Sequence, residues 1–202
     1  GVPVFGAKGA SVHVQEVVRA LRRAGHEVVL HAARRGDLAP ADLADLTVVE
    51  TPVRAHDPAG RERVQAEASR RAARDVLERG ADLVYERYSL FSTALADVAR
   101  AAGAPGVLEV NAPLIDEQRR HRVLVDGAGA LAALRAQAGR ARLTACVSDP
   151  VRRWVERLVP DCRAATVPNG VSLERIRPSR EDPGVVVVFV GTLKPWHGVD
   201  DL

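Results

Sequence analysis

Apolar residues along this chain alternate between two spacings. Val14, Val17, Val18 and Leu21 recur at helical intervals after Ser11, which can cap a helix N-terminus. The pattern stops at Ala24-Gly25, where glycine can take the left-handed closing conformation, so a helix of about three turns is expected. Glu27-Val28-Val29-Leu30-His31-Ala32 and Thr47-Val48-Val49-Glu50 then read as short strands, and Arg61 to Arg79 as an Arg/Glu-rich helix closed by Gly80. Asp82-Leu83-Val84-Tyr85-Glu86 reads as a third strand. A helix from Ser89 to Ala102, a strand from Gly106 to Val110, a long helical region from Ile115 to Gln137 and a strand from Leu143 to Val147 follow. Ser148-Asp149-Pro150 opens another helix, since proline is tolerated in a first turn and Ser or Asp can cap it. Ala165-Thr166-Val167 is the next strand. Val185 to Val190 is wholly apolar and fits a strand buried on both faces.

Strands separated by helices over the whole length predict an α/β fold, a Rossmann-like parallel sheet with helices on both faces. Such sheets take their ligands at the carboxyl ends of the strands. Gly1 to Gly6 reads as the loop after an absent first strand, and the chain stops at Leu202 where a helix has barely begun, so truncation at both ends is expected. Arg177 to Gly184 is polar and turn-rich, as an interdomain linker would be. The expected organisation is a first domain over 1–178, a linker over 179–184 and the opening strand and turn of a second domain over 185–202.

Composition narrows the partners. Of 202 residues 47% are hydrophobic and only 3% aromatic, with no Met, so the core must be aliphatic. The 29 basic residues are interleaved with 26 acidic ones, which argues for solvated helix faces and against a nucleic-acid surface. Cys146 and Cys162 are too few for a disulfide framework and have no metal-ligand spacing, so a reducing compartment is expected. No apolar run approaches the roughly 20 residues that span a bilayer, and the start lacks a charged segment followed by an apolar signal core, so a cytoplasmic protein is expected. At most the protein would touch a membrane surface.

Two loops carry candidate chemistry. Gly6-Ala7-Lys8-Gly9-Ala10-Ser11-Val12-His13 runs into a helix N-terminus, where free N–H groups and the helix dipole favour a phosphate. A tight turn that needs glycine for close packing is the alternative. The loop is neither the dinucleotide fingerprint nor a Walker loop, so nicotinamide and ATP chemistry lose support. Val190-Gly191-Thr192-Leu193-Lys194-Pro195-Trp196-His197-Gly198 is a Gly turn followed by a basic, aromatic loop, suited either to an anion or to an ordinary strand-helix connection.

Other positions are open as well. Tyr85-Glu86-Arg87-Tyr88 closes a strand and should face the cleft, with Glu86 and Arg87 either in acceptor binding or paired as a structural ion pair. His13 is either a cleft residue or a satisfied core histidine. Glu109, Glu117 and Gln118 lead into Arg119-Arg120-His121-Arg122, a basic run suited to anionic lipid or a phosphorylated acceptor, or else to a solvated face. No carboxylate pair at a hydrolase spacing and no Ser/His/Asp arrangement has motif context.

Four segments in order resemble family 4 glycosyltransferases. Lys8-Gly9 through Leu21 with Gly25-His26-Glu27-Val28 is similar to that family's Gly-Gly loop, first helix and Gly-His-x-Val return. Ala145-Cys146-Val147-Ser148 resembles its Val-Ser strand end. Val167-Pro168-Asn169-Gly170-Val171 with Arg177-Pro178 resembles its Pro-Asn-Gly-Val segment, and Val188 to Leu202 the start of its donor domain. Together they cover nearly the whole chain.

The resemblance implies a two-domain GT-B enzyme that moves a sugar from a nucleotide-diphosphate donor to a glycan, lipid or small-molecule acceptor, with retention of configuration and without cofactor or bound metal. Another GT-B enzyme such as a nucleotide-sugar epimerase, or a non-catalytic nucleotide- or sugar-binding module, is the alternative. By the same resemblance Gly9, Gly191, Thr192, Lys194 and His197 would bind the donor diphosphate, and Lys8, His13, Glu86, Arg87 and Asn111 would line the acceptor side. Thr192 and His197 stand where the family commonly has Arg and Lys, which makes Lys194 the candidate replacement cation. Asn111 stands where the family often has His, and it cannot take up a proton at neutral pH. Transfer needs both walls of the cleft, so this fragment alone is expected to be inactive.

Overall fold

A computed structural model describes residues 2–177 and 184–189. The chain divides into two compact units, Gly1–Asn169 and Gly170–Leu202. In the first, the elements run α1 (Gly9–Arg23), β1 (Val29–Ala32), a 3-10 turn (Ala41–Leu43), β2 (Thr47–Glu50), α2 (Pro58–Arg79), β3 (Val84–Arg87) and α3 (Ala94–Ala102). They continue with β4 (Gly106–Val110), α4 (Leu114–His121), α5 (Gly127–Arg140), β5 (Leu143–Cys146), α6 (Asp149–Leu158) and β6 (Ala164–Thr166).

All strand pairs are parallel. The strands fall into a two-stranded sheet, β1-β2, and a four-stranded sheet in the order β3-β4-β5-β6, where one sheet was expected. No described strand hydrogen-bonds to both β1 and β3. β4 is the central strand by burial: Leu108, Glu109 and Val110 are all buried although successive side chains point to opposite faces. Helices therefore cover both faces of the sheet. The aliphatic core around Leu95, Leu108, Val110, Leu134, Cys146 and Val155 takes one aromatic contact, between Tyr88 and Trp154, whose ring centroids are 6.3 Å apart. A second cluster joins Val18 of α1 to Val4, Phe5, Leu43 and Leu46.

The helix ends explain where sequence and structure differ. α1 begins two residues before Ser11, with Lys8 at the N-cap position. The Ser11 hydroxyl instead donates to the Pro3 carbonyl at 2.6 Å, tying the incoming segment to the helix. Gly25, at φ 88°, lies just past the end of α1 as expected. The helix expected over Ile115 to Gln137 is broken into α4 and α5. Glu62 of α2 accepts from the backbone N–H groups of Val125 and Asp126, both at 2.8 Å, and Asp126 accepts from Gly129 N–H at 2.7 Å to start α5. A tertiary carboxylate thus captures amides that a continuous helix would have used internally.

In the second unit Val185–Phe189, expected as a strand buried on both faces, form no strand and are exposed, Val185 to 99%. An apolar run becomes a buried strand only when it joins a sheet, and this one belongs to neither sheet of the described residues. Val190 and the loop beyond it lie outside the described residues.

Candidate functional site

The site is built on the carboxyl ends of β3 and β4 and on the first turns of α1. Glu109, the one carboxylate in the apolar run of β4, is 7% exposed. A buried carboxylate is costly unless its oxygens are matched by donors. Here Tyr85 on the neighbouring strand donates its phenol to Glu109 Oε2 at 3.0 Å, and Asn111 donates its amide to Oε1. Nε2 of His13 lies 2.6 Å from Oε1 without an aligned hydrogen bond, so the contact is one of charge once the imidazole is protonated. Burial, reinforced by the Glu109 carboxylate, pushes the Tyr85 phenol well above its ordinary range and keeps it a donor.

Register explains the grouping. β3 and β4 pair in parallel with Arg87 beside Glu109, and Tyr85 and Arg87 are two residues apart on one strand, hence on one face. Arg87 extends to α1, its Nη1 donating to the Ala10 carbonyl at 3.3 Å. Glu86 points to the opposite face. Its two oxygens accept from the Ser92 hydroxyl and, at 2.7 Å, from the Leu95 N–H in the first turn of α3. The Glu86–Arg87 ion pair considered from sequence is therefore absent. Burial raises the Glu86 carboxyl, with the bonds to Ser92 and Leu95 opposing it.

The structure thus brings His13, Arg87 and Asn111 together with Tyr85 and Glu109, and directs Glu86 away from them. In the sequence Glu109 belongs to a polar stretch with Glu117 and Gln118. Its signal was a lone acid between Leu108 and Val110, which demanded partners.

Lys8 and Gly9 sit exposed at the start of α1. A Cβ added at Gly9 would meet nothing within 4 Å, so packing does not require glycine there. The tight-turn role falls to Gly6, whose added Cβ would stand 3.0 Å from Ser11 Oγ and 3.1 Å from Pro3 Cγ. Gln15 fixes the same segment, donating to the carbonyls of Val4 at 2.9 Å and Gly6 at 3.2 Å. The first turn of α1 therefore ends a braced loop with open space in front of Gly9. Gly191, Thr192, Lys194 and His197 lie outside the described residues. Among the described residues no three His, Cys, Asp or Glu side chains group to hold a metal ion, and no helix is long and apolar enough to cross a membrane.

A parallel α/β domain with a helix N-terminus and a polar cluster at its strand ends defines a Rossmann-like domain. The family model described as Glycosyltransferase Family 4 matches residues 7–175, and the chain belongs to that family. No curated protein matches it.

Proposed function

We propose that this chain carries the acceptor-side wall of a retaining glycosyltransferase, which moves a sugar from a nucleotide-diphosphate sugar to a glycan, lipid or small-molecule acceptor without a bound metal. The observation that carries the reading is the open space before Gly9 at the N-terminus of the 15-residue helix α1. Backbone N–H groups and the helix dipole there favour a diphosphate, and a β-carbon at Gly9 would intrude on a close approach.

As the glycosidic bond breaks, negative charge grows on the leaving diphosphate. Donors fixed beforehand lower that barrier because they need not reorganise during the reaction. The α1 N-terminus, with Lys8 beside it, would serve this purpose. His13, Asn111 and Arg87 would face the reacting sugar and acceptor, held in place by Glu109 and the Ala10 carbonyl. Gly191, Thr192, Lys194 and His197 would contribute from the donor side.

The test is a binding and donor-hydrolysis screen of the protein against a panel of nucleotide-diphosphate sugars, with and without a chelator. Selective binding of one sugar nucleotide that survives the chelator and is lost in Gly9→Val is expected. Failure to bind any member of the panel would sink the proposal.

A further inference from the structure

A second concave feature lies at the carboxyl ends of β1 and β2. It is a cavity of about 480 Å³ whose lining includes Arg34, Arg35, Gly36, Asp37, Glu50 and Arg54. Its wall is stitched to the loop that leads into α1. Val4 N–H donates to the Arg34 carbonyl at 3.0 Å and Phe5 N–H to the Arg35 carbonyl at 2.8 Å. Gly36, at φ 91°, presses so closely on Phe5 that an added Cβ would stand 2.2 Å from its carbonyl oxygen. The Arg35 guanidinium sits over the Phe5 ring, 4.8 Å from its centroid, which fixes the direction of that side chain. Phe5 thus ties residues of the cavity wall to the loop that delivers Lys8 and Gly9.

The charges are unevenly satisfied. Glu50 accepts the Arg35 backbone N–H at 2.5 Å, so one of its oxygens is already engaged. The Arg34 and Arg54 side chains are exposed and have no hydrogen-bond or ion-pair partner among the described residues. The lining thus carries three arginines against two acids, Asp37 and Glu50, with the Arg35 guanidinium turned onto Phe5 and Arg34 and Arg54 left for a ligand. A guanidinium is always charged and its planar fork matches the oxygens of phosphate or carboxylate. The volume lies within the roughly 300–1,000 Å³ typical of small-molecule sites, well beyond what one ion needs.

We propose that this arginine-lined cavity binds the anionic group, phosphate or carboxylate, of an acceptor of about monosaccharide size. The assignment deepens the transferase reading and rests on it for the word acceptor; the binding site itself does not. The cavity would anchor the acceptor's charged end while Phe5 to Gly9 separate it from the donor diphosphate at α1.

The experiment is calorimetric titration of the protein with hexose 6-phosphate, hexuronate and the neutral hexose, in parallel with a nucleoside diphosphate. The same titrations use Arg34→Ala/Arg54→Ala, both exposed positions whose loss should leave the thermal melt unchanged. A phosphate or carboxylate sugar should bind at least 10-fold more tightly than the neutral hexose and lose most of that preference in the double variant. A preference for hexose 6-phosphate or for hexuronate identifies the favoured anion, and equal binding of the two also supports the site. Equal affinity for charged and neutral sugars, or unchanged affinity in the double variant, overturns it. Nucleoside diphosphate binding should be the same in both proteins. Its absence would count against the reading of α1 while leaving the result at the cavity intact.

Discussion

Nε2 of His13, one turn into α1, lies 2.6 Å from Oε1 of Glu109 on β4, joining two elements that do not neighbour each other in sequence. Glu109 also accepts from Tyr85 and Asn111. Replacing it by Leu should therefore cost more than removing an exposed acid. Tyr85 and Asn111 would lose their acceptor and His13 its charged neighbour, at about 1–3 kcal/mol for each donor left unsatisfied. Urea unfolding of Glu109→Leu should show a midpoint clearly below wild type, and Glu109→Gln should fall between them. A midpoint equal to wild type would mean that the Tyr85 and Asn111 donors find other partners.

The glycines separate folding from binding. Gly36→Ala meets a backbone oxygen and needs a left-handed φ, so it should destabilise by about 2 kcal/mol or more. Gly9→Ala meets no atom within 4 Å and should leave the melting temperature unchanged within a degree or two, while weakening nucleoside diphosphate binding. Thermal melts and titration calorimetry on the same samples check both halves.

Glu62 holds the break between α4 and α5 through two backbone amides. Glu62→Ala should lower stability by about 1–3 kcal/mol and raise amide exchange at Val125 and Asp126 ahead of the helices on either side. Hydrogen exchange followed by mass spectrometry resolves that segment. Protection equal to wild type would rule out the carboxylate as the cause of the break.

Glu86 gives a pH dependence with a definite sign. Burial raises its folded-state pKa above the unfolded value. Between the two values the folded protein holds a proton that the unfolded chain has released, so stability falls as pH rises through that window. The melting temperature of wild type minus that of Glu86→Gln should decline from mildly acidic pH toward neutrality. A difference that stays flat would show that the bonds from Ser92 and Leu95 offset the burial.

Periodicity alone placed most elements. β2 and β4 occur at the expected residues, and glycines at 25 and 80 follow α1 and α2 as left-handed or open closures do. These features depend on local spacing and on backbone freedom, which a sequence states directly. Ser11 behaves otherwise. Its residue type suits a cap, yet its hydroxyl bonds to Pro3, and only the folded path of Val2 to Phe5 makes that partner available.

The sequence by itself determined the alternation of helices and parallel strands, the aliphatic core and membership of the family, because these follow from patterns read along the chain. Tertiary structure alone decided the break at 122–126, the gathering of His13, Tyr85 and Asn111 on Glu109, and the turn of Glu86 to the other face. The physical reason is that a buried charge selects its partners from whatever the fold brings within hydrogen-bond reach, and strand register decides which side chains those are.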